Sequence, residues 1–145
     1  MDMSSALPLL HAGPRRWRQI LEHGHPLAAS ELGDSEYAGI SLGLPRIVEK
    51  LSWKKFMKAF HRDPERGVVR GWNVRMEQNA LDGPWIPKVR GVEPITFGHF
   101  LVVEAHPGQV PAGCDRGLLL DYGQGRNARL DPMGLFRDPL VAVNE

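Results

Sequence analysis

Hydrophobic and polar residues alternate most regularly between residues 53 and 79. The second half of this stretch has a period of two, with one face formed by Trp72, Val74 and Met76 and the other by Asn73, Arg75 and Glu77. That period is typical of a half-buried β-strand. Before it, Asp63-Pro64-Glu65-Arg66-Gly67 is a turn sequence, because proline presets φ and glycine accepts positive φ. The pattern predicts an antiparallel β-hairpin in which Phe56 and Phe60 share a face of the first arm.

Further strands and two helices are predicted around this hairpin. Arg15 to His23 has helical spacing after Pro14, and Leu44 to Leu51 repeats that spacing as a second short helix. Proline and glycine make Leu81 to Pro94 a loop. The remaining predicted strands are a first strand within Leu27 to Gly43, a central strand from Ile95 to Ala105, a strand from Gly117 to Tyr122 and a last strand from Leu140 to Asn144.

These elements define the predicted fold class. Short strands joined by tight turns favour a mainly β protein, either a small antiparallel calycin-like barrel or a strongly curved sheet. It carries an N-terminal helix and one short internal helix. We expect a flexible N-terminus over residues 1–13 and a single β-rich domain over residues 14–145.

Composition narrows the class of protein. The chain has 145 residues, 42% hydrophobic and 24% charged, which is ordinary for a soluble globular domain. Its single cysteine, Cys114, excludes an internal disulfide and fits a reducing compartment. The first ten residues lack the positive charge of a signal peptide, and no apolar run reaches the ~18 residues of a membrane span. A cytoplasmic protein without a membrane span is expected.

Positive charge is concentrated in the hairpin region. Residues 46–75 contain nine Lys or Arg against three acids, although the chain as a whole carries a net charge of +1. One interpretation is a solvated outer face. The other is an anion-binding patch for nucleic acid or phospholipid, formed by Lys54, Lys55, Lys58 and Arg62. Because the interleaved aromatic residues are expected to face the core, nucleic acid is the less favoured partner.

The order of several motifs resembles the GXWXG-type, lipocalin-like bacterial domains. The matching segments are Gly33, Tyr37-Ala38-Gly39, Trp53-Lys54-Lys55-Phe56 and Leu120-Asp121-Tyr122. Tyr37 stands at the position of the signature tryptophan, and Lys54 stands where these domains have glycine. The resemblance extends from Leu32 to Glu145. It implies a calycin-like barrel that holds an apolar ligand, and a chain that lacks the last strands of that family.

The leading functional hypothesis is non-enzymatic binding of a small apolar or amphipathic ligand. Barrels of this size enclose one small molecule. We expect Trp85 to act as a lid over the cavity. The other predicted ligand-binding residues are Trp72, Val74, Met76, Phe97, His99, Leu101 and Tyr122.

An enzyme is the alternative hypothesis. His99 on the central strand and Asp121 near a strand end could serve as the acid and base of an isomerase or cyclase that acts on a hydrophobic substrate. The structural interpretation is a core histidine and an acid that starts a turn or pairs with Arg116 or Arg126.

The sequence indicates no cofactor and no metal site. If residues 140–144 form an edge strand, a second copy could pair with it, so a homodimer through the C-terminal edge is predicted.

Overall fold

The protein is mainly β, with 40% strand and 19% helix. A computed structural model describes residues 7–42 and 54–143. The helices are α1 Leu7–Leu10, α2 Pro14–His23 and α3 Ala29–Leu32. The strands are β1 Ser35–Ile40, β2 Lys55–Asp63, β3 Val68–Arg75, β4 Val89–Arg90, β5 Glu93–Pro94, β6 Thr96–Glu104, β7 Leu118–Asp121 and β8 Arg137–Leu140. Short 3₁₀ helices span Tyr122–Gln124 and Pro132–Leu135.

Six strands form one antiparallel sheet in the order β1-β2-β3-β6-β7-β8. The sheet curls into a half-barrel, which confirms the predicted mainly β, strongly curved sheet. Strands β4 and β5 form a separate two-stranded ribbon inside the predicted loop. Strand β6 pairs with β3 on one side and β7 on the other, so its predicted central position is confirmed.

The predicted hairpin is confirmed as β2 and β3. Its turn is closed by a hydrogen bond from the Gly67 N–H to the Asp63 carbonyl at 2.9 Å, and Gly67 has a φ of +65°. The Asp63 carboxylate accepts from the backbone N–H groups of Glu65 and Arg66. Local turn chemistry therefore fixes the register of β2 against β3.

The hydrophobic core lies on the inner face of the curled sheet. Its buried members are Leu32, Phe60, Val69, Phe100, Val102, Leu118, Leu120 and Tyr122. On β3 this inner face belongs to Val69, Gly71 and the 3% exposed Asn73, while Trp72 lies half-buried on the outer face. The alternation along β3 was predicted correctly, but its assignment of Trp72 to the ligand-holding interior is wrong. Because Gly71 has no side chain, the Phe100 ring packs directly against its backbone on the inner face.

The helices differ in part from their prediction. Helix α2 matches the predicted N-terminal helix, and it is preceded by α1 in a segment that was expected to be flexible. Helix α3 was not predicted, because four residues are too few for a helical period to show. The predicted helix at residues 44–51 and Trp53 lie outside the described residues.

The last strand lies earlier than predicted. Strand β8 covers Arg137–Leu140 and pairs with β7, whereas Ala142 pairs instead with His25 after helix α2. The predicted strand began at Leu140, where the apolar run begins, but pairing with β7 starts at Arg137 and includes Pro139, because proline is tolerated at a sheet edge. A homodimer through this edge stays a prediction.

Candidate functional site

A β-bulge organises the outer face of the sheet. Between β3 and β6 the register shifts, so that both Gly98 and His99 lie opposite the single residue Trp72. Gly98 has a φ of +52°, as expected for the first residue of a glycine bulge. The imidazole of His99 consequently lies over the Trp72 indole, with ring centroids 6.3 Å apart and planes tilted by 36°.

The Trp72–His99 pair lies in an outer groove, an open depression of about 680 Å³ across β2, β3 and β6. Met57, Val74 and Leu101 supply apolar surface around the two rings. The charged lining residues are Glu36, Asp63, Arg66, Arg70, Glu93 and Arg126. The outer groove therefore combines an aromatic and aliphatic centre with charges of both signs.

Gly125 and Asn127, which follow the first 3₁₀ helix, hold the bulge in place. The His99 N–H donates to Asn127 Oδ1 at 2.8 Å, and Asn127 Nδ2 donates to the carbonyls of His99 and Tyr122 at 2.7 and 2.8 Å. Gly125 lies against the His99 carbonyl so closely that a side chain there would collide with it. These contacts fix the position of the imidazole and bring Arg126 to the groove.

The surroundings of His99 lower its pKa. Burial lowers the pKa of His99, and the positive charge of Arg126 lowers it further, with Asp131 acting in the opposite direction. Arg70 is paired with Asp63, at 3.4 Å between nitrogen and oxygen. Among the described residues Arg126 has no ion-pair partner, so its charge is available to a bound anion.

Four of the eight predicted ligand-binding residues meet in the outer groove: Trp72, Val74, His99 and Leu101. The other four lie elsewhere. Met76 is 0% exposed and Tyr122 is 2% exposed within the protein. Phe97 lies 6.0 Å from the Arg75 guanidinium, and Trp85 covers the Lys55 ammonium at 4.6 Å instead of acting as a lid over the groove.

A second constellation lies on the inner face. The Lys58 ammonium donates to Asn73 Oδ1 at 2.9 Å and to Tyr122 Oη at 2.8 Å. It also lies 5.0–5.5 Å from the ring centroids of Phe56, Phe100 and Tyr122. We call Lys58, Asn73, Tyr122 and the nearby Asp138 the Lys58 cluster.

The pKa values of Lys58 and Tyr122 are both shifted within the Lys58 cluster. Burial lowers the pKa of Lys58 from 10.5 to about 8, although the negative charge of Asp138 acts to raise it. Burial raises the pKa of Tyr122 well above its usual value, and the charge of Asp138 raises it further. A phenol that keeps its proton beside a lysine that loses one near pH 8 is an unusual pair.

Asp121 has a structural role. Its carboxylate accepts from the Gly123 N–H at 2.9 Å and from Gln124 Nε2 at 2.9 Å, and it lies 3.6 Å from Arg137 Nε. Asp121 therefore starts the 3₁₀ turn and pairs with an arginine, as the structural interpretation of the sequence expected. The arginine is Arg137 and not Arg116 or Arg126. His99 faces Trp72 and Thr96 instead, so the proposed acid–base pair has no shared hydrogen bond among the described residues.

The four predicted anion-binding residues do not form one surface. Lys55 is 0% exposed, and its ammonium donates to Asn79 Oδ1 and to the carbonyls of Ala80, Gly83 and Pro84. Lys58 lies on the opposite face of the strand, within the Lys58 cluster, and Arg62 donates to the Ser30 carbonyl. Lys54 and Arg62 are the two exposed residues of the four. Strand alternation separates Lys55 from Lys58, which corrects the expectation of a joint patch.

Sequence reasoning missed Asn73, Asp138 and Asn127. A signal for the Lys58 cluster was present, because Lys58 lies midway between Phe56 and Phe60 and must share their face. Asn73 lies directly opposite Lys58 in the hairpin register. No local signal identifies Asn127, whose partner His99 is 28 residues distant.

Comparison with protein families, curated proteins and solved structures finds no match. The resemblance to the lipocalin-like domains therefore stays a prediction.

In the part of the chain that the structure describes, no helix is long and apolar enough to cross a membrane.

Proposed function

We propose that the protein binds a small amphipathic molecule, a planar or apolar body with one anionic group, in the outer groove. The observation that carries this proposal is the half-exposed Trp72–His99 pair beside Arg126. The proposal keeps the ligand class expected from the sequence. It moves the site from a barrel interior, which is filled by the core cluster, to the outer face of the sheet.

Size and chemistry of the groove support this ligand class. A volume of about 680 Å³ falls within the range of roughly 300–1,000 Å³ typical of small-molecule sites. The indole and imidazole give a planar ligand two rings to contact, and aromatic contacts of this kind prefer offset or tilted geometry. Val74 and Leu101 extend the apolar surface on neighbouring strands.

Arg126 selects an anionic group. Its charge acts on His99 strongly enough to lower the pKa of the imidazole, so the guanidinium lies within electrostatic reach of the ring pair. A carboxylate placed there would receive charge-assisted hydrogen bonds in planar geometry. The ligand would therefore lie with its apolar body over Trp72 and its carboxylate towards the segment after the 3₁₀ helix.

Two matched probes test the proposal: 2-naphthoate and its uncharged counterpart 2-naphthamide, titrated by calorimetry. We expect 2-naphthoate to bind more tightly than the amide, because only the carboxylate pairs with Arg126. Absence of 2-naphthoate binding at millimolar concentration would overturn the proposal. Native mass spectrometry of the freshly purified protein would identify a natural ligand that copurifies.

Variants locate the site. Trp72→Leu should weaken 2-naphthoate binding by about tenfold, equivalent to ~1.4 kcal/mol, whereas the control Trp85→Leu should leave it unchanged. Arg126→Gln should weaken binding of the carboxylate but not of the amide. Arg90→Gln is its control, because Arg90 on β4 does not itself line the groove. Equal effects of Trp72→Leu and Trp85→Leu would place binding elsewhere.

A further inference from the structure

The Lys58 cluster lies on the face of the sheet opposite the outer groove, and ligand binding in the groove does not use it. Its arrangement differs from that of a lysine held by an ion pair. The Nζ atom contacts one amide oxygen, one phenol oxygen and three aromatic rings. Burial lowers the pKa of this amine to about 8, so the neutral form is more populated than in an exposed lysine, although the two oxygens and the rings stabilise the ammonium ion.

We propose that Lys58 Nζ is a nucleophile that forms an imine with a small aldehyde or ketone carrying an apolar substituent. A neutral amine has two N–H donors and one lone pair. Asn73 Oδ1 and Tyr122 Oη accept the two N–H groups, which leaves the lone pair for a carbonyl carbon. The ring of the partly exposed Phe56, whose centroid lies 5.3 Å from Nζ, supplies an apolar surface for the substituent.

The reaction is balanced without a further reagent. The nitrogen lone pair forms a bond to the carbonyl carbon, and the electrons of the C=O π bond move to oxygen. Nitrogen then loses two protons, and both leave with the carbonyl oxygen as one molecule of water. The Tyr122 hydroxyl, 2.8 Å from Nζ, is placed to relay one of these protons.

Access and activation both fit a lysine nucleophile. Lys58 retains part of its surface in contact with solvent, and the residue opposite it on β1 is Tyr37, which is 47% exposed. The titratable groups that face the amine are Tyr122 and Tyr37, with Asp138 acting through its charge. A desolvated lysine with a pKa of about 8 is an activated amine at neutral pH.

Reductive trapping tests the proposal on the wild-type protein. Hexanal and benzaldehyde are each incubated with the protein and cyanoborohydride at pH 7.5, and peptide mass spectrometry then locates the alkylated residues among the five lysines of the chain. We expect Lys58 to react about tenfold faster than Lys54 and Lys88, because more of its amine is neutral. Labelling of Lys58 no faster than that of these two lysines would overturn the proposal.

A pH profile separates chemical activation from a structural role. Asn73→Asp places a carboxylate beside the amine, so labelling of Lys58 should slow at pH 7.5 and recover by pH 9.5. Asn79→Asp, beside the buried Lys55, is the matched control and should leave labelling of Lys58 unchanged. If the Asn73→Asp protein labels with the wild-type pH profile, Asn73 does not control this amine and the proposed site is wrong.

Discussion

Asn127 and His99 exchange two hydrogen bonds across 28 residues of sequence: the His99 N–H donates to Asn127 Oδ1, and Asn127 Nδ2 returns a bond to the His99 carbonyl. The same amide also donates to the Tyr122 carbonyl. One side chain thus joins the bulge of the outer groove to the residue that contacts Lys58 on the inner face.

Replacement of Asn127 tests this link. Asn127→Ala removes three part-buried hydrogen bonds and leaves their backbone partners unsatisfied, so the free energy of unfolding should fall by about 1–3 kcal/mol. Urea unfolding followed by tryptophan fluorescence measures the change. A variant that unfolds at the wild-type urea concentration would show that the exchange does not hold the bulge.

Gly98 tests the bulge itself. Its φ of +52° and its contacts with Asn73 Nδ2 and Met133 Cε both oppose a Cβ atom. Gly91 has a similar φ of +65° but nothing within 4 Å of the added carbon. Gly91→Ala should therefore cost about 1 kcal/mol from backbone strain alone.

Gly98→Ala should cost a further 1–3 kcal/mol, roughly, from the crowding that Gly91→Ala lacks. The difference between the two variants in urea unfolding measures the packing contribution. Equal losses of unfolding free energy in both variants would mean that the side chains of Asn73 and Met133 move away from the added Cβ atom without an energetic cost.

The hairpin and the central strand could be predicted because their signals are local. Asp63 and Gly67 carry the chemistry of their own turn, and the apolar run of β6 needs no distant partner to be recognised. The face of β3 that turns inward could not be predicted in the same way. Alternation separates the two faces of β3, but which face meets the core depends on the other strands and on helix α3, which pack against it.

The candidate sites show the same division. Alternation placed Trp72 with Val74 and His99 with Leu101, and the structure brings these four residues together in a groove outside the half-barrel and not in the predicted interior. The environment of Lys58 escaped prediction because its partners come from β3 and the first 3₁₀ helix, far apart in sequence. Lysine is ordinarily exposed, so sequence reasoning favours a solvated position.

Neighbouring lysines should differ sharply in their contribution to stability. Lys55→Met leaves Asn79 Oδ1 and three backbone carbonyls without their donor, so we expect a loss of about 2–4 kcal/mol in the free energy of unfolding. Lys54→Met changes an exposed residue and should stay within about 0.5 kcal/mol of wild type. Similar unfolding free energies for the two variants would contradict the buried, hydrogen-bonded position of the Lys55 ammonium.

Acid should strengthen binding of 2-naphthoate. Because burial and the charge of Arg126 lower the pKa of His99, the imidazole gains its charge at a lower pH than an ordinary histidine does. Protonation then adds a positive charge beside the carboxylate, so affinity should rise about two- to fivefold as the pH falls through the titration of His99.

Two histidine variants identify the group responsible for this rise in affinity. His99→Gln should abolish it. His106→Gln should retain it, because His106 is exposed and does not line the outer groove. Calorimetric titrations at three pH values measure the trend, and an affinity that is flat with pH in the wild type would remove His99 from the binding site.

The pH dependence of stability should reveal the buried amine of Lys58. In the folded protein Lys58 loses its proton near pH 8, whereas the unfolded chain keeps it until about pH 10.5. Between these values the unfolded state binds more protons, so the free energy of unfolding should rise with pH, by at most ~1.4 kcal/mol per pH unit. Below pH 8 the full cost of burying the charge is present.

Lys58→Met has no such group, and its stability relative to wild type should therefore fall as the pH rises from 7.5 to 9.5. That window ends before tyrosine titration, which acts in the opposite direction because the pKa of Tyr122 is raised. Urea unfolding of both proteins at each pH measures the difference, and parallel profiles would show that Lys58 titrates as an ordinary exposed lysine.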